Sequence, residues 1–530
     1  MYHKLNQRIK KLLKISPQDL FGNNLIGLEK ESLRVNSQGS LTQTLHPIAL
    51  GSSLTHPYIT TDYSEALLEL ITPPLNNIAE VIRFLQHAHK FVYQNLDNES
   101  LWATSMPCIL AGETSIPLAK YGTSNAGQMK NIYRNGLGLR YGREMQVIAG
   151  VHFNFSLAPE FWEHYYDIEN TTTEQQHPGS LTDFISDNYF HLIRNLQRMG
   201  WLVPYLFGAS PAVCKSFLGN KATHLEEFDA STYYEPYATS LRMGDIGYQN
   251  NKENESGIKA IYDNVETYVD SLSYAINTTC PEYQKLGIKK DRIYQQLNAN
   301  ILQIENEYYS TIRPKQILND NESPSFALKN RGVRYVELRS LDVNAYDPLG
   351  INKSQLFFLE AFLIFCLLHD SPIIDKIERK EIDENEMQVA HAGRKPGLEL
   401  QQKGEIVTLK QWGLEICDEM LSICEILDKK SSTRCYTESL HTQRNKIRDA
   451  SLTPSARMLE EMRENNESFH HFAARKSKLH QHYFKQVVLS QQQQLFFKQQ
   501  AHQSIKKQLQ LEANDKLSLD NYLEQYFSQK

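Results

Sequence analysis

The sequence lacks any cysteine pair spaced as CxxC: its seven cysteines, at 108, 214, 280, 366, 417, 424 and 435, are odd in number and widely scattered. That argues against a disulfide scaffold and a structural zinc site, and it suits a reducing compartment. Long apolar runs are missing as well. The most hydrophobic stretch, LFFLEAFLIFCLL from Leu356 to Leu368, is interrupted by Glu360 and too short to cross a bilayer, so it reads as a buried helix. The first residues, MYHKLNQRIKKLLKIS, are basic but carry neither a continuous apolar segment nor a small-residue cleavage signal, so a short amphipathic helix is expected rather than a secretory leader. Together these absences predict a cytoplasmic protein with no membrane partner. Neither sign of charge dominates. Against 62 Asp and Glu stand 56 Lys and Arg, a formal net charge of -6, and no half of the chain is strongly basic, which disfavours a nucleic-acid partner. Familiar nucleotide signatures are absent too: there is no Gly-Lys dipeptide and hence no Walker A loop, no GxGxxG opening a helix after a strand, and no GxSxG elbow. P-loop NTPases, Rossmann enzymes and protein kinases are therefore disfavoured.

What is present is a chain of 530 residues, 41% hydrophobic and 22% charged, the balance of a soluble globular protein with room for one large catalytic domain or two to three smaller ones. No fixed-period repeat and no Pro/Gly/Ser-rich linker divides it. Strands are expected at Gly27 to Val35, Ala66 to Thr72, Val147 to Ser156 and Arg334 to Leu341. Helices are expected at Ile78 to Asn95, Leu181 to Met199, Gly257 to Asn277 and Gln355 to Leu368. These pieces do not follow a βαβα order, so the fold class is α+β. The polar stretch Asp167 to Ser180 reads as a surface loop. From about Thr437 the composition turns to Gln, Lys, Glu and His with spaced leucines, which divides the chain into a catalytic region, 1–436, and a helical, peripheral extension of the same unit, 437–530.

The chemistry lies in carboxylates that alternate with apolar residues. In GLEKESLRVN, Gly27 to Asn36, extended backbone puts Glu29, Glu31, Leu33 and Val35 on one face and Leu28, Lys30, Ser32 and Arg34 on the other. The second face reads as solvated, which sends both acids inward. In TDYSEALLELITPP, Glu69 shares a face with Leu67 and Ile71, and Asp62 lies just upstream. In RYVELRSLD, Glu337 and Arg339 alternate with Tyr335 and Leu341 on one face, and in VHFNFSL the polar side carries His152, Asn154 and Ser156. Each strand alone reads as an ordinary ion pair or a half-exposed edge, but three acid-bearing strands together point to one shared site. Buried carboxylates repel and persist only with protons, basic partners or a cation. Glu29, Glu31, Asp62, Glu69, Glu337 and one His carry more negative charge than Arg339 can neutralise. Hard carboxylate oxygens select Mg²⁺ or Mn²⁺ over zinc, and Mg²⁺ held this way keeps positions for substrate phosphates. The natural chemistry is a reaction at a phosphate, with Arg339 stabilising the transferred group. On these residues alone a two-metal phosphohydrolase stays open, as does a non-catalytic scaffold built around the Gln-rich tail.

The segments GLEKESLRV, TTDYSEALLELITP, YGTSNAG, YGREMQVIAGVHFNFS, PYLFGASPA, ATSLRMGDIGY, QIENEYYSTIRPK and VRYVELRSLDVN resemble, in order, the signature segments of proteobacterial-type glutamate-cysteine ligase. The resemblance covers most of residues 20 to 460; residues 162 to 180 and the Gln-rich tail diverge. It implies a glutamine synthetase-like, curved and mainly antiparallel sheet that forms a funnel-shaped site surrounded by helices and lined by Mg²⁺-binding carboxylates. It implies a reaction in which the γ-carboxylate of glutamate attacks the γ-phosphate of ATP, the co-substrate, and the cysteine amine then displaces phosphate from γ-glutamyl phosphate. This is the first step of glutathione biosynthesis. Glu29, Glu31, Asp62, Glu69, His152 and Glu337 are the implied metal ligands, with Glu29, Glu337 and Arg339 carrying the catalysis. Arg242 is implied for the glutamate α-carboxylate, Gln146 for glutamate, and Tyr133, Tyr248 and Tyr309 for the incoming cysteine. YGTSNAG, Tyr121 to Gly127, is a flexible loop that could close over the site. Inhibition by glutathione is implied, and a monomer is expected because nothing resembles an oligomerisation device. The motifs fix the activated carboxylate better than the acceptor, so a ligase joining glutamate to another amine is the nearest alternative.

In such an enzyme cysteine is the substrate and not the catalyst. Cys108→Ser and Cys214→Ser are each expected to keep turnover in a steady-state assay. Complete loss in a variant with an unchanged circular dichroism spectrum would give a thiol of the chain a part in the reaction.

Overall fold

The alternating segment near the start of the chain becomes the middle of the main sheet. The protein is described as a computed structural model covering residues 3–12, 14, 20–107, 109–170, 179–247, 259–429 and 433–529. Its main sheet has seven strands, β1 (Leu25–Val35), β2 (Ile59–Thr61), β3 (Leu67–Ile71), β4 (Ser100–Leu101), β5 (Gly150–Ser156), β6 (Ile312–Lys315) and β7 (Tyr335–Asp342). The order is β6-β7-β5-β1-β3-β2, with β4 pairing with β1. Every pairing is antiparallel, so one face can line a site while the other packs.

The packed face carries Leu28, Leu68, Phe153, Phe155, Val336 and Leu338, all fully buried. Helices α1 (Ile78–Gln94), α2 (Asn125–Tyr141), α3 (Leu181–Met199) and α4 (Lys353–Leu368) follow in chain order. Of these, α1 packs on β1 and β3, α3 on β6, and α4 on both α1 and α3. Helix α4 contains the apolar run noted above and is buried almost all round, Glu360 included, as a helix enclosed by other helices must be. Glu360 is tolerated there because Tyr436 and Asn24 donate hydrogen bonds to its carboxylate at 2.7 and 3.2 Å.

Four expectations need correction. The Lys30 face of β1 is not solvated. Lys30, Ser32 and Arg34 are all buried, because helices cover this side of the sheet and each cation finds partners there. Lys30 Nζ donates to Ser32 Oγ, and burial lowers its pKa to about 7. Arg34 donates to Glu99 at 2.8 Å and to the carbonyls of Thr44 and Glu65 at 2.9 and 3.0 Å. The strand expected from Val147 starts only at Gly150, since Met145–Val147 forms a 3-10 turn. The helix expected over 257–277 starts at Val265, where Asn264 caps the first turn through Thr267, and 257–258 lie outside the described residues. Of the polar stretch 167–180, residues 167–170 close the helix Pro159–Asn170, while 171–178 lie outside the described residues.

The Gln-rich tail is also more than a periphery. Residue 437 lies inside the helix Cys435–Arg448. Helix α5 (Phe469–Gln486) sends Phe469, Phe472 and Phe484 into the principal core with no exposed surface. Helix α6 (Gln491–Asn514) adds Phe497, and α7 (Leu519–Phe527) inserts Leu523 beside Met129 and Ile132 of α2 in a second apolar cluster.

The Arg34–Glu99 pair has side chains 0% and 8% exposed, so removing one partner strands the other charge in the core. Arg34→Met is expected to cost about 3–5 kcal/mol in urea unfolding. A loss under about 1 kcal/mol would mean that the pair adds no more than a surface ion pair does.

Candidate active site

Antiparallel register turns the sequence alternation into one polar row. Glu31 on β1 stands opposite Glu69 on β3, and Glu29 stands opposite His152 on β5. Asn154 on β5 faces Glu337 on β7, and Glu337 faces Arg313 on β6. Directly opposed residues project to the same side of a sheet, so three separate segments put acids on one face. Glu29, Glu31, Asp62, Glu69, Tyr133, Gln146, His152, Arg242, Tyr309, Glu337 and Arg339 all line a single cavity of about 680 Å³. Tyr248, the remaining predicted site residue, lies outside the described residues.

His152 is the hub of the acids. Its Nδ1 lies 3.1 Å from Glu29 Oε2 and 3.8 Å from Glu337 Oε1, and its Nε2 lies 3.9 Å from Glu31 Oε1. Asn154 donates to Glu29 Oε1 at 2.8 Å, and the Gly150 backbone N–H donates to Glu31 Oε2 at 2.6 Å. The four carboxyls titrate apart. Burial is the strongest single influence on Glu29 and opposes its ionisation, but the hydrogen bond to His152 and the charges of His152 and Lys315 together hold Glu29 below the usual range. Burial likewise disfavours the charge of Glu337, yet Lys315, Arg339, His152 and Arg313 together pull it well below. Glu31 is shifted up by burial, and Glu69 is pushed well above the usual range by burial and by Glu29, Asp62 and Glu31. The wall is therefore polarised: its Glu337 end is supplied with cations and its Glu69 end is short of them.

The cationic end is built from neighbouring strands. Arg339 Nη1 and Lys315 Nζ approach Glu337 Oε2 at 3.2 and 3.4 Å. Arg242 comes from the turn after Ser240 and is 2% exposed; its Nη2 donates to the Arg339 carbonyl at 2.8 Å, and its Nη1 lies 3.7 Å from Asp342 Oδ1. Asp342 is in turn held by the Ala209 N–H and by the hydroxyls of Ser210 and Ser240. The segments PYLFGASPA and ATSLRMGDIGY thus meet at this aspartate to seat one arginine. Gly150 completes the seat, since a Cβ there would fall 2.2 Å from Arg242 Nη2. Gln146 lies on the 3-10 turn before β5 and not on the strand itself.

Several lining residues were not singled out from the sequence. Arg134 of α2 donates to the Asp62 carbonyl at 2.6 Å and pairs with its carboxylate at 3.4 Å, which fixes Asp62 at the rim. Lys130, one turn earlier, is lowered to about 8 by burial and by Arg134. Arg313 and Lys315, two residues apart on β6, have a sequence signal, the same alternation that exposed Glu337, whereas Asp342 at the end of β7 carried none. Tyr522 and Tyr526 of α7 also line the cavity, far from it in sequence and without a local pattern.

YGTSNAG is not an open loop. Tyr121 is buried and donates to the carbonyls of Thr61 and Asp62, and Ser124 caps α2 through the Gly127 N–H. From the tail, Glu512 accepts from the Thr123 N–H at 2.9 Å, and Asp515 accepts from the Asn125 side chain at 2.8 Å. Composition alone suggested mobility; docking of the tail supplies the partners that hold the segment.

Comparison with known proteins shows the family. A family model described as glutamate-cysteine ligase matches residues 9–389. The chain is 46% identical to the glutamate–cysteine ligase of Alcanivorax borkumensis over 99% of both proteins. It is 45% identical to that of Pseudomonas aeruginosa over 98% of this chain and 97% of the relative. Among solved structures, the Francisella tularensis glutamate–cysteine ligase in complex with AMP superposes with a TM-score of 0.88 at 39% identity, covering 95% of this chain and 97% of that one. A bifunctional glutathione synthetase from Pasteurella multocida gives 0.70 at 25% identity, covering 90% of this chain and 55% of that longer one. Family model, relatives and fold agree with one another, and the chain belongs to the glutamate-cysteine ligase family.

Proposed function

We propose that Glu29, Glu31, Asp62, Glu69, His152 and Glu337 hold Mg²⁺, for which Mn²⁺ could substitute, and that Arg339, Arg242, Gln146 and the tyrosines bind and orient the substrates. The reaction is that of the family: the chain joins the γ-carboxylate of glutamate to the amine of cysteine, consuming ATP and releasing ADP and phosphate. One observation carries the site assignment, the crowding of acids around His152. Single ligand atoms of Glu29, Glu69 and His152 lie within 4.8 Å of one another. Glu337 Oε2 is buried and meets Arg339 and Lys315 only at ion-pair distance, with no hydrogen bond among the described residues. Carboxylate oxygens with one imidazole nitrogen suit a hard divalent cation. When bound, such a cation neutralises phosphate charge and lets one anion approach another.

The chain's own residues account for the rest. Arg242, seated by Asp342, presents a guanidinium to the α-carboxylate of glutamate, and Gln146 adds a neutral amide contact. An oxygen of the γ-carboxylate attacks the γ-phosphorus of ATP, and ADP departs with the bonding pair. Arg339 meets charge on the transferred phosphoryl group. The cysteine nitrogen then attacks the acyl carbon, phosphate leaves, and the nitrogen gives up a proton to become the amide. Tyr133 and Tyr309 border the acceptor; Tyr248, outside the described residues, is assigned to the acceptor by the family resemblance alone. A monomeric, cytoplasmic enzyme inhibited by glutathione, with 437–530 as an integral part of the catalytic unit, belongs to the same reading. No helix among the described residues is long and apolar enough to cross a membrane.

A coupled ADP assay tests the function: ADP should form only when glutamate and an acceptor amine are both present, with cysteine preferred over 2-aminobutyrate and alanine. Phosphate release without glutamate would favour a phosphohydrolase, and equal use of alanine would overturn the acceptor. Glu337→Gln is expected to fold normally and to lose about 100-fold or more in kcat at limiting Mg²⁺, and wild-type turnover there would remove Glu337 from the ligands. Arg242→Lys is expected to raise the glutamate KM about 10- to 100-fold, the value of a charge-assisted bidentate contact, and an unchanged KM would reassign it.

Tyr522 and Tyr526 make the tail part of this assignment. Deleting residues 515–530 is expected to raise the acceptor KM while circular dichroism shows the fold retained. Unchanged kinetics would make α7 a structural prop only.

A further inference from the structure

Away from the acidic cavity, three segments bring a second set of metal-ligand groups together. His224 precedes the short strand Glu226–Glu227, Glu235 follows the strand Thr232–Tyr234, and His391 lies on the helix Lys376–Ala392. One ligand atom from each lies within 4.8 Å of the others. Glu235 sits between the two rings, 3.2 Å from His224 Nε2 and 2.7 Å from His391 Nδ1. The opposite edge of each ring faces a different acid. Asp245 Oδ1 lies 3.1 Å from His391 Nε2, its Oδ2 lies 3.7 Å from His224 Nδ1, and its backbone N–H is 3.2 Å from His391 Nε2. Among the described residues, the ion-pair partners of both acids are these histidines.

We propose that His224 Nε2, His391 Nδ1 and Glu235 bind one Zn²⁺ ion, with Asp245 holding the far edge of the His391 ring. Two neutral imidazoles and a carboxylate make a zinc donor set, softer than the oxygen wall around His152. A metal-bound histidine usually turns its second ring nitrogen to a carboxylate, and Asp245 Oδ1 is the carboxylate oxygen within reach of His391 Nε2 at 3.1 Å. Scattered cysteines argue against a thiolate zinc site only, and this set needs none.

The position gives the ion a structural role. Asp245 lies in the same turn as Arg242, three residues on, and Gly244 packs so tightly on His391 that a Cβ would fall 2.5 Å from Nε2. An ion on His391 and Glu235 would therefore brace the turn that carries Arg242 against two other segments.

Untagged enzyme in thiol-free buffer with saturating Mg²⁺, which the proposed function assigns to the acidic cavity, is titrated with Zn²⁺ by calorimetry and with Co²⁺ by visible spectroscopy. The expected result is one Zn²⁺ per chain and Co²⁺ absorption of tetrahedral intensity. Both should be lost in His224→Ala and His391→Gln and kept in Glu337→Gln. His224 is largely exposed, so its variant tests binding without endangering the fold. Zinc stoichiometry unchanged in His224→Ala and His391→Gln, or binding lost in Glu337→Gln alone, would overturn the site.

Discussion

Repulsion among carboxylates on one sheet face is the constraint around which this structure is organised. Glu29, Glu31, Glu69 and Glu337 are brought together by strand register, and register cannot be relaxed for one residue without turning a whole strand over. The surroundings answer the repulsion locally. Lys315, Arg313 and Arg339 serve Glu337, Asn154 and the Gly150 N–H serve Glu29 and Glu31, and Glu69 is left with a raised pKa. That unevenness sets the row apart from an internally balanced salt-bridge network.

A second layer of order follows from keeping Arg242 near those acids without letting it collapse onto them. Asp342 draws the guanidinium to the side, and Ser210, Ser240 and the Ala209 N–H satisfy the aspartate. Burial shifts Asp342 up even so. The arginine ends with its Nε buried and without a hydrogen bond among the described residues.

The strands were legible because period two survives in any sequence whose faces differ, as Val151 to Ser156 and Tyr335 to Asp342 do. The acids followed from that alternation, and register then brought them together. Lys30 and Arg34 misled for the same reason: alternation separates faces but does not say which of them is covered. Asp342, Arg134 and the tyrosines of α7 were illegible because their importance comes from contacts distant in sequence. The start of the helix at Val265 was decided by a side-chain cap, a local signal that hydrophobic pattern overran.

The wall supplied by α7 has a consequence for how the protein is made. Strand β1 is synthesised about 490 residues before α7, yet Glu29 and Tyr526 border the same cavity. An unfinished chain can pair β1 with β3 and β5, but it lacks one side of the pocket. Contacts of such long sequence separation close late in folding. A nascent chain that has not yet reached α7 lacks that side of the cavity, so this wall forms only after α7 has been synthesised.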